Sequence, residues 1–121
     1  MSGEIVENYS ANVNHGSYQE TIAKTLTTVQ TTEGGGNPGY VNIGTSEEDI
    51  AFGDVTPRVV IMENMDGTNF VKYGPKSGGS MVYFGRIAPG GFARLELGSG
   101  VTLRMVADTA GCNVRIRGYN A

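Results

Sequence analysis

The sequence predicts an all-β domain: an antiparallel β-sandwich or jelly roll with an N-terminal hairpin or extended arm. Three observations predict it. Through the second half, segments of five to eight residues rich in Val, Ile, Phe, Tyr and Met alternate with clusters of Gly, Pro, Asn, Asp and Ser. Glycine supplies 19 of the 121 residues, which calls for frequent turns. Within the predicted strands, apolar and polar residues alternate so that one face is buried and the other wet, as antiparallel sheets packed face to face require.

The chain has the length of one domain, residues 1–36 forming an arm with a Gly-rich break and residues 37–121 the body. Its single cysteine, Cys112, excludes an intramolecular disulfide framework. No apolar run approaches the ~20 residues of a membrane span. The start, Met1-Ser-Gly-Glu-Ile-Val-Glu, is acidic where a secretory signal would be basic and then apolar. A soluble protein made in the cytosol, with no membrane partner, is expected.

In chain order, residues 5–13 and 18–30 flank Asn14-His15-Gly16, which reads as a hairpin turn. A helix competes over residues 17–32: Ser17 with Glu20 resembles a capping box, and Tyr18, Ile22, Leu26 and Val29 have helical spacing. Six threonines between Thr21 and Thr32 oppose it, because β-branched side chains suit strands, and a long strand is the favoured reading. Residues 33–39 read as a flexible break, residues 40–43 as a short strand. Gly44-Thr45-Ser46-Glu47-Glu48-Asp49 reads as a loop with room for one helical turn, ahead of a short segment at 50–52.

Residues 58–64 are a largely apolar, central strand. Asp66-Gly67 then gives a strong hairpin signal, since both residues tolerate positive φ, and residues 70–74 form the next strand. Asn64, Asp66 and Asn69 are expected to fix this loop through side-chain hydrogen bonds to backbone. Residues 80–87 are a strand, and Pro89-Gly90-Gly91 a turn of type II chemistry. In residues 92–97, Ala93, Leu95 and Leu97 share one face, Phe92, Arg94 and Glu96 the other. After Gly98-Ser99-Gly100, Leu103, Met105 and Ala107 point inward with Val101. The last strand sets Val114 and Ile116 inward and Arg115 and Arg117 outward.

Candidate chemistry is sparse. His15, the only histidine, lies in a turn without a second metal ligand nearby, and Cys112 reads as a small buried hydrophobe. Glu47, Glu48 and Asp49 lack the alternating spacing of a calcium loop. The glycine runs lack the Lys-Ser/Thr of a phosphate loop. No catalytic, cofactor or metal residue is assigned, and no enzyme is expected. An overall pI near 5.0 and arginines alternating with apolar residues disfavour nucleic acid. Six tyrosines leave a glycan or host-surface ligand open.

Charge is split. Residues 1–56 hold one base against eight acids, residues 57–121 eight bases against four acids. Such asymmetry fits either local pairing of strand surfaces or docking between copies, with Glu47, Glu48 and Asp49 as candidates for an arginine of a neighbour, and Arg115 and Arg117 on the basic side.

Several motifs bear on identity: Gly44-Thr45-Ser46-Glu47-Glu48, Phe52-Gly53-Asp54-Val55, Asn64-Met65-Asp66-x-Thr68-Asn69-Phe70-Val71-x-x-Gly74, Ile87-Ala88-Pro89-Gly90-Gly91-Phe92-Ala93-Arg94-Leu95 and Ala107-Asp108-Thr109-Ala110. Through them, residues 44–119 resemble small virion proteins of tailed bacteriophages. The resemblance implies a β-rich structural subunit used in many copies, as a capsid decoration or cement protein or as a neck, tail or fibre component. It implies a homo-oligomer, with a trimer favoured, partnered by the major capsid protein or other virion proteins and assembled in the host cytoplasm. The turn Gly85-x-x-x-Pro89-Gly90-Gly91 also resembles part of a cupin motif, but residues 80–96 lack the histidines that hold a cupin metal.

Overall fold

The computed structural model describes residues 3–30, 35–53 and 55–120, and every regular element among them is a β-strand in an antiparallel sheet. The chain divides into two compact units, Met1–Glu33 and Gly34–Asn120.

The first unit is a two-stranded ribbon. Strand β1 (Gly3–His15) pairs with β2 (Tyr18–Gln30) through 13 rungs, from Gly3 opposite Gln30 to His15 opposite Tyr18. Thirteen residues at ~3.3 Å each make it about 43 Å long. The reversal is a two-residue turn, Gly16-Ser17, with Gly16 at φ 60°. Glycine at the first central position is the requirement of a type II′ turn, whose twist matches that of the flanking strands. The turn therefore lies later than Asn14-His15-Gly16, and Asn14 and His15 remain in the ladder opposite Gln19 and Tyr18. No helix forms over residues 17–30, where the threonines meet cross-strand partners; Thr31 and Thr32 lie outside the described residues.

The second unit holds nine strands: β3 (Gly35–Ile43), β4 (Glu48–Asp49), β5 (Val59–Asn64), β6 (Val71–Ser77), β7 (Ser80–Met81), β8 (Gly85–Ile87), β9 (Phe92–Glu96), β10 (Leu103–Ala107) and β11 (Cys112–Tyr119). One sheet has the order β3-β11-β5-β9. The other runs β4-β10-β6, with β7 and β8 both pairing β6. Except for the run β6-β7-β8, each successive strand changes sheet.

Alternation places the core where the sequence put it except at Val101, expected inward with Leu103, Met105 and Ala107, which precedes β10 in the Gly98–Gly100 turn and is exposed. Ile43, Val60, Met62, Val114 and Ile116 from one sheet and Val71, Ile87, Leu103, Met105 and Ala107 from the other join Ile50, Phe52, Val55 and Cys112 in a single buried cluster. Full burial of such a side chain is worth about 1.5–3 kcal/mol.

Three local expectations are corrected. Asp66-Gly67 does not close a hairpin, since β5 and β6 belong to different sheets and the loop crosses between them. The acidic loop does not run on to Asp49: it ends before Glu48, where Glu48 and Asp49 pair with Met105 and Arg104, and no helical turn forms. Finally, β3 begins at Gly35 where a flexible break was expected, with Pro38 opposite Arg117 and Asn37 opposite Gly118. Gly35 serves close packing, because a Cβ there would run into the Tyr119 ring, whereas Gly36 and Gly39 supply positive φ. Thr31 to Gly34 lie outside the described residues.

Two turns follow their residue chemistry. Gly91 N donates to Ala88 O at 2.8 Å with Gly90 at φ 73°, and Val101 N donates to Gly98 O at 3.2 Å with Gly100 at φ 78°. Both have glycine where a type II turn demands positive φ.

Gly74 answers a different need. The segment before β8 bonds β6 through Val82 N to Pro75 O at 2.8 Å and Phe84 N to Tyr73 O at 3.1 Å, and the Val82 carbonyl lies where a Gly74 Cβ would sit. Gly74→Ala should lower unfolding stability by about 3 kcal/mol in urea titration, through overpacking against a backbone oxygen. Gly67→Ala, which faces open space without positive φ, should stay within about 0.5 kcal/mol. Equal effects would refute the close approach.

Candidate functional site

The arm is amphipathic once its register is fixed. Residues opposite one another share a face, so Ile5, Glu7, Tyr9, Ala11, Val13 and His15 lie with Thr28, Leu26, Lys24, Ile22, Glu20 and Tyr18. The other face carries Asn8, Ser10, Asn12, Asn14, Gln19, Thr21, Thr25 and Thr27, with Glu4, Ala23 and the exposed Val6 and Val29 among them. There, Thr21 Oγ1 donates to Asn12 Oδ1 at 3.0 Å and Thr25 Oγ1 to Asn8 Oδ1 at 2.9 Å, so the polar face is knitted by cross-strand hydrogen bonds. On the apolar face, Ile22 is 53% exposed, Tyr18 58% and Val13 41%. Tyr18 donates to Glu20 at 2.7 Å, which pushes the phenol pKa above its ordinary value. Tyr9 donates its hydroxyl to Glu7, a buried carboxylate. Lys24 makes no ion pair among the described residues.

In the body, the acidic trio is divided. Arg104 Nε meets Asp49 Oδ1 at 2.8 Å, and its Nη1 meets Glu47 Oε1 at 3.1 Å and the Gly79 carbonyl at 2.8 Å. Lys76 Nζ reaches Asp49 Oδ2 at 3.4 Å, and Met81 N donates to Glu47 Oε1 at 2.8 Å. One guanidinium thus ties β4, β10 and the β6–β7 turn, and the arginine that holds Glu47 and Asp49 belongs to their own chain. Glu48 turns the other way, its Oε1 enclosed without a hydrogen-bond partner among the described residues.

Asn64, Asp66 and Asn69 come together. The buried Asn64 donates Nδ2 to Asn69 O at 2.8 Å and Ile87 O at 3.2 Å, and its Oδ1 accepts from Asp66 N at 3.0 Å. Asp66 Oδ2 accepts from Thr68 N at 2.9 Å and Asn69 N at 2.6 Å, which holds its carboxyl below the ordinary range. Asn69 Oδ1 accepts from Thr109 at 2.9 Å. Cys112, at 0% exposure, directs its thiol at the Asn69 carbonyl, and burial pushes the thiol pKa up.

Arg115 and Arg117 stand on the outer face of the β3-β11-β5-β9 sheet. Arg117 Nη2 reaches Glu63 Oε1 at 3.5 Å, while the Arg115 guanidinium covers the Tyr40 ring at 5.3 Å. Across this face Tyr40, Arg115, Glu63 and Phe92 form one row, with both aromatics exposed. On the other sheet, Lys72 lies over Tyr83 at 5.4 Å and Arg86 over Phe70 at 4.8 Å. Val82, Tyr83 and Phe84 are successive exposed side chains there, Phe84 at 76%. Beside Phe84, an open apolar depression of about 280 Å³ is lined by Tyr73, Leu95, Leu97, Val101 and Leu103.

The charge split moves with the fold. Met1–Glu33 carries four acids and Lys24, a net of −3, whereas Gly34–Asn120 carries eight of each sign. Five of the body's bases reach carboxylates: Arg58, Lys76, Arg94, Arg104 and Arg117. The other three, Lys72, Arg86 and Arg115, cover rings. Sequence reasoning missed Arg104 and the arm's apolar face. Alternation over residues 5–13 and 18–26 carried the second signal, but Glu7 and Lys24 interrupt it.

Among the described residues, no group of three or more His, Cys, Asp or Glu side chains could hold a metal ion, and no helix is long and apolar enough to cross a membrane. No family model matches the chain, and neither a curated protein nor a solved structure matches it.

The Arg104 cluster has a pH signature. Glu47 is held below its ordinary 4.5 by the Met81 N–H and then by Arg104, and Asp49 below its ordinary 3.8 chiefly by Arg104. Depressed carboxyl values mean that the stability they contribute is complete above those ordinary values and is lost as pH falls below them. The urea midpoint of the wild type should therefore fall more steeply between pH 5 and about pH 2.5 than that of Arg104→Met. Parallel profiles would show that Arg104 does not set these carboxylates.

Proposed function

We propose that this chain is a non-enzymatic structural protein of a tailed-phage virion, a decoration or cement subunit that is assembled in multiple copies and stabilises the particle. The observation that carries the reading is strand order. With the short β7 set aside as an extension of the β6 turn, β3-β11-β5-β9 faces the core shared with β4-β10-β6-β8. Numbered from β3, this is the eight-strand order of a jelly roll, the architecture that recurs in viral capsid and lectin domains. We therefore take the body as a jelly-roll sandwich. The resemblance of residues 44–119 to small phage virion proteins points the same way.

The arm supports a role in assembly. An isolated two-stranded hairpin is marginal in water, yet here 13 rungs present Val13, Tyr18 and Ile22 to solvent. Body surfaces add exposed Tyr and Phe beside Arg, the composition of binding hot spots. On this reading the partners are further copies of the chain and the major capsid protein, and the location is the virion.

One observation favours a second reading. Tyr83 and Phe84 stand exposed beside Lys72 and the apolar depression, an arrangement suited to a glycan or host-surface ligand at the virion exterior or tail.

Mass spectrometry of purified virions should find the chain in stoichiometric multiples, and particles made without its gene should release DNA at lower temperature. Absence from the particles would overturn the proposal. Full-length particles that keep their heat resistance but lose host attachment on Tyr83→Ser would move the protein to the second reading.

A further inference from the structure

The outer face of the β10-β6-β8 sheet carries two cations that no carboxylate among the described residues neutralises. Lys72 on β6 stands directly opposite Arg86 on β8, with Val106 of β10 on its other side. On the β8 side of β6 the hydrogen bonds are taken by Tyr73 and Pro75, whose carbonyls accept from Phe84 N and Val82 N. Lys72 and Arg86 are therefore a non-hydrogen-bonded pair, the kind in which facing side chains start closest, about 5 Å apart. Like charges so placed repel one another.

The other bases nearby are accounted for. Arg104 and Lys76, on the same face, hold Asp49, and Arg104 holds Glu47 as well. Arg115, which also covers a ring, stands opposite Glu63 on the other sheet. Among the described rungs, only that of Lys72 and Arg86 opposes two bases. The two turn apart: Lys72 Nζ lies 5.4 Å from the centroid of the Tyr83 ring, and the Arg86 guanidinium 4.8 Å from that of Phe70. Asp108, whose N–H donates to Phe70 O at that end of the face, pairs with neither.

Tyr83 completes the surface. It falls between Val82 and Phe84, which bond Pro75 and Tyr73, and so stands opposite Gly74, on the face of Lys72 and 56% exposed. Phe84 alternates to the other side, its ring 6.3 Å from that of Tyr73. The outer face thus sets an ammonium and a guanidinium fork, both suited to a carboxylate, beside an open aromatic ring that ends in a hydroxyl. The chain carries a net −3, and Lys76 and Arg104 are already held, so this face offers no track for a polyanion such as nucleic acid. One anionic group, on a hydroxylated ring that lies against Tyr83, fits what is present.

We infer that Lys72, Arg86 and Tyr83 form a site for an acidic sugar, whose carboxylate is taken by the two cations and whose ring lies on the tyrosine. This rests on the second reading above, the capture of a glycan at this face, and adds the class of sugar and the residues that take its charge.

NMR titration of the full chain with two probes, a sialylated trisaccharide and a disaccharide ending in glucuronic acid, tests the inference. At least one should shift the signals of Lys72, Tyr83 and Arg86, and bind at least about tenfold tighter than its own methyl ester, acetate or a glutamate peptide. Lys72→Met and Arg86→Met keep most of each stem over its ring and should each weaken that binding about tenfold. Tyr83→Ala should weaken the sugar similarly and leave acetate as it was. Lys24→Met, which removes one positive charge from the arm, should change nothing. Unchanged circular dichroism will show that the variants keep the fold. No binding of either probe, equal affinity for the methyl ester, variants that bind as the wild type does, or a preference for the glutamate peptide or single-stranded DNA overturns the inference. Host attachment distinguishes the sugar class from the second reading itself. Particles that attach with Lys72→Met and Arg86→Met but not with Tyr83→Ser overturn the acidic sugar alone, and particles that attach with all three overturn the second reading as well.

Discussion

The side-chain amide of Asn64 is the one polar group on which the body's architecture turns. It sits at 1% exposure at the end of β5, where the chain leaves one sheet for the other. Its Nδ2 hydrogens go to Asn69 and Ile87, its Oδ1 takes the Asp66 N–H, its backbone N–H goes to Gly91 and its carbonyl receives Gly90. Asn69 and Ile87 belong to the β6 and β8 side, Gly90 and Gly91 to the turn that returns the chain to β9. One residue thus pins two of the crossings between the sheets, β5 to β6 and β8 to β9. Aspartate would lose the two donations, and leucine would leave two buried carbonyls and an amide unpaired, each at about 1–3 kcal/mol. The Asp66 loop and the Cys112 thiol are arranged around this network and depend on it.

Arg104 performs the corresponding task at the edge of the other sheet, by a different physics. Its partners Glu47 and Asp49 are exposed, so each ion pair alone is worth little. What the guanidinium supplies is geometry. Its fork spans Asp49 on β4, Glu47 before it and the Gly79 carbonyl, holding a two-residue strand that could not persist by its own backbone hydrogen bonds. Glu47 and Asp49, which in sequence belong to the negative half, are thereby neutralised within the body. The formal excess of acids that remains, a net of −3, lies in residues 1–33.

How much of this was legible follows from what each signal encodes. Alternation encodes faces, so the inward sets at 103–107 and 112–116 were readable as sequence. Turn chemistry encodes backbone angles, so Pro89-Gly90 was readable too. Neither encodes which strands pair. Asp66-Gly67 has the φ tolerance of a hairpin turn, yet Asn64 uses that loop to cross between sheets. The glycines of 35–39 carry the composition of a flexible connector, but Gly36 and Gly39 supply positive φ within β3, and the missing side chain of Gly35 is what lets Tyr119 settle on the strand. Arg104 gave no local sign, because its carboxylates are more than 50 residues away in sequence. The arm's faces needed the register, and the register needed the turn to be placed at Gly16-Ser17.

The same register shows that the arm's face that bears Ile22 is only partly apolar. A ribbon of 13 rungs with an unbroken apolar face would associate with any strand or sheet of similar length, in any register, because a slip by two residues restores the same contacts. Glu7, Glu20 and Lys24, spaced along the face that bears Ile22, interrupt the apolar rungs and remove that degeneracy. The cost is attraction, since each charge replaces an apolar contact. The gain is a ribbon that does not accept any apolar strand in any register, an exchange of affinity for specificity.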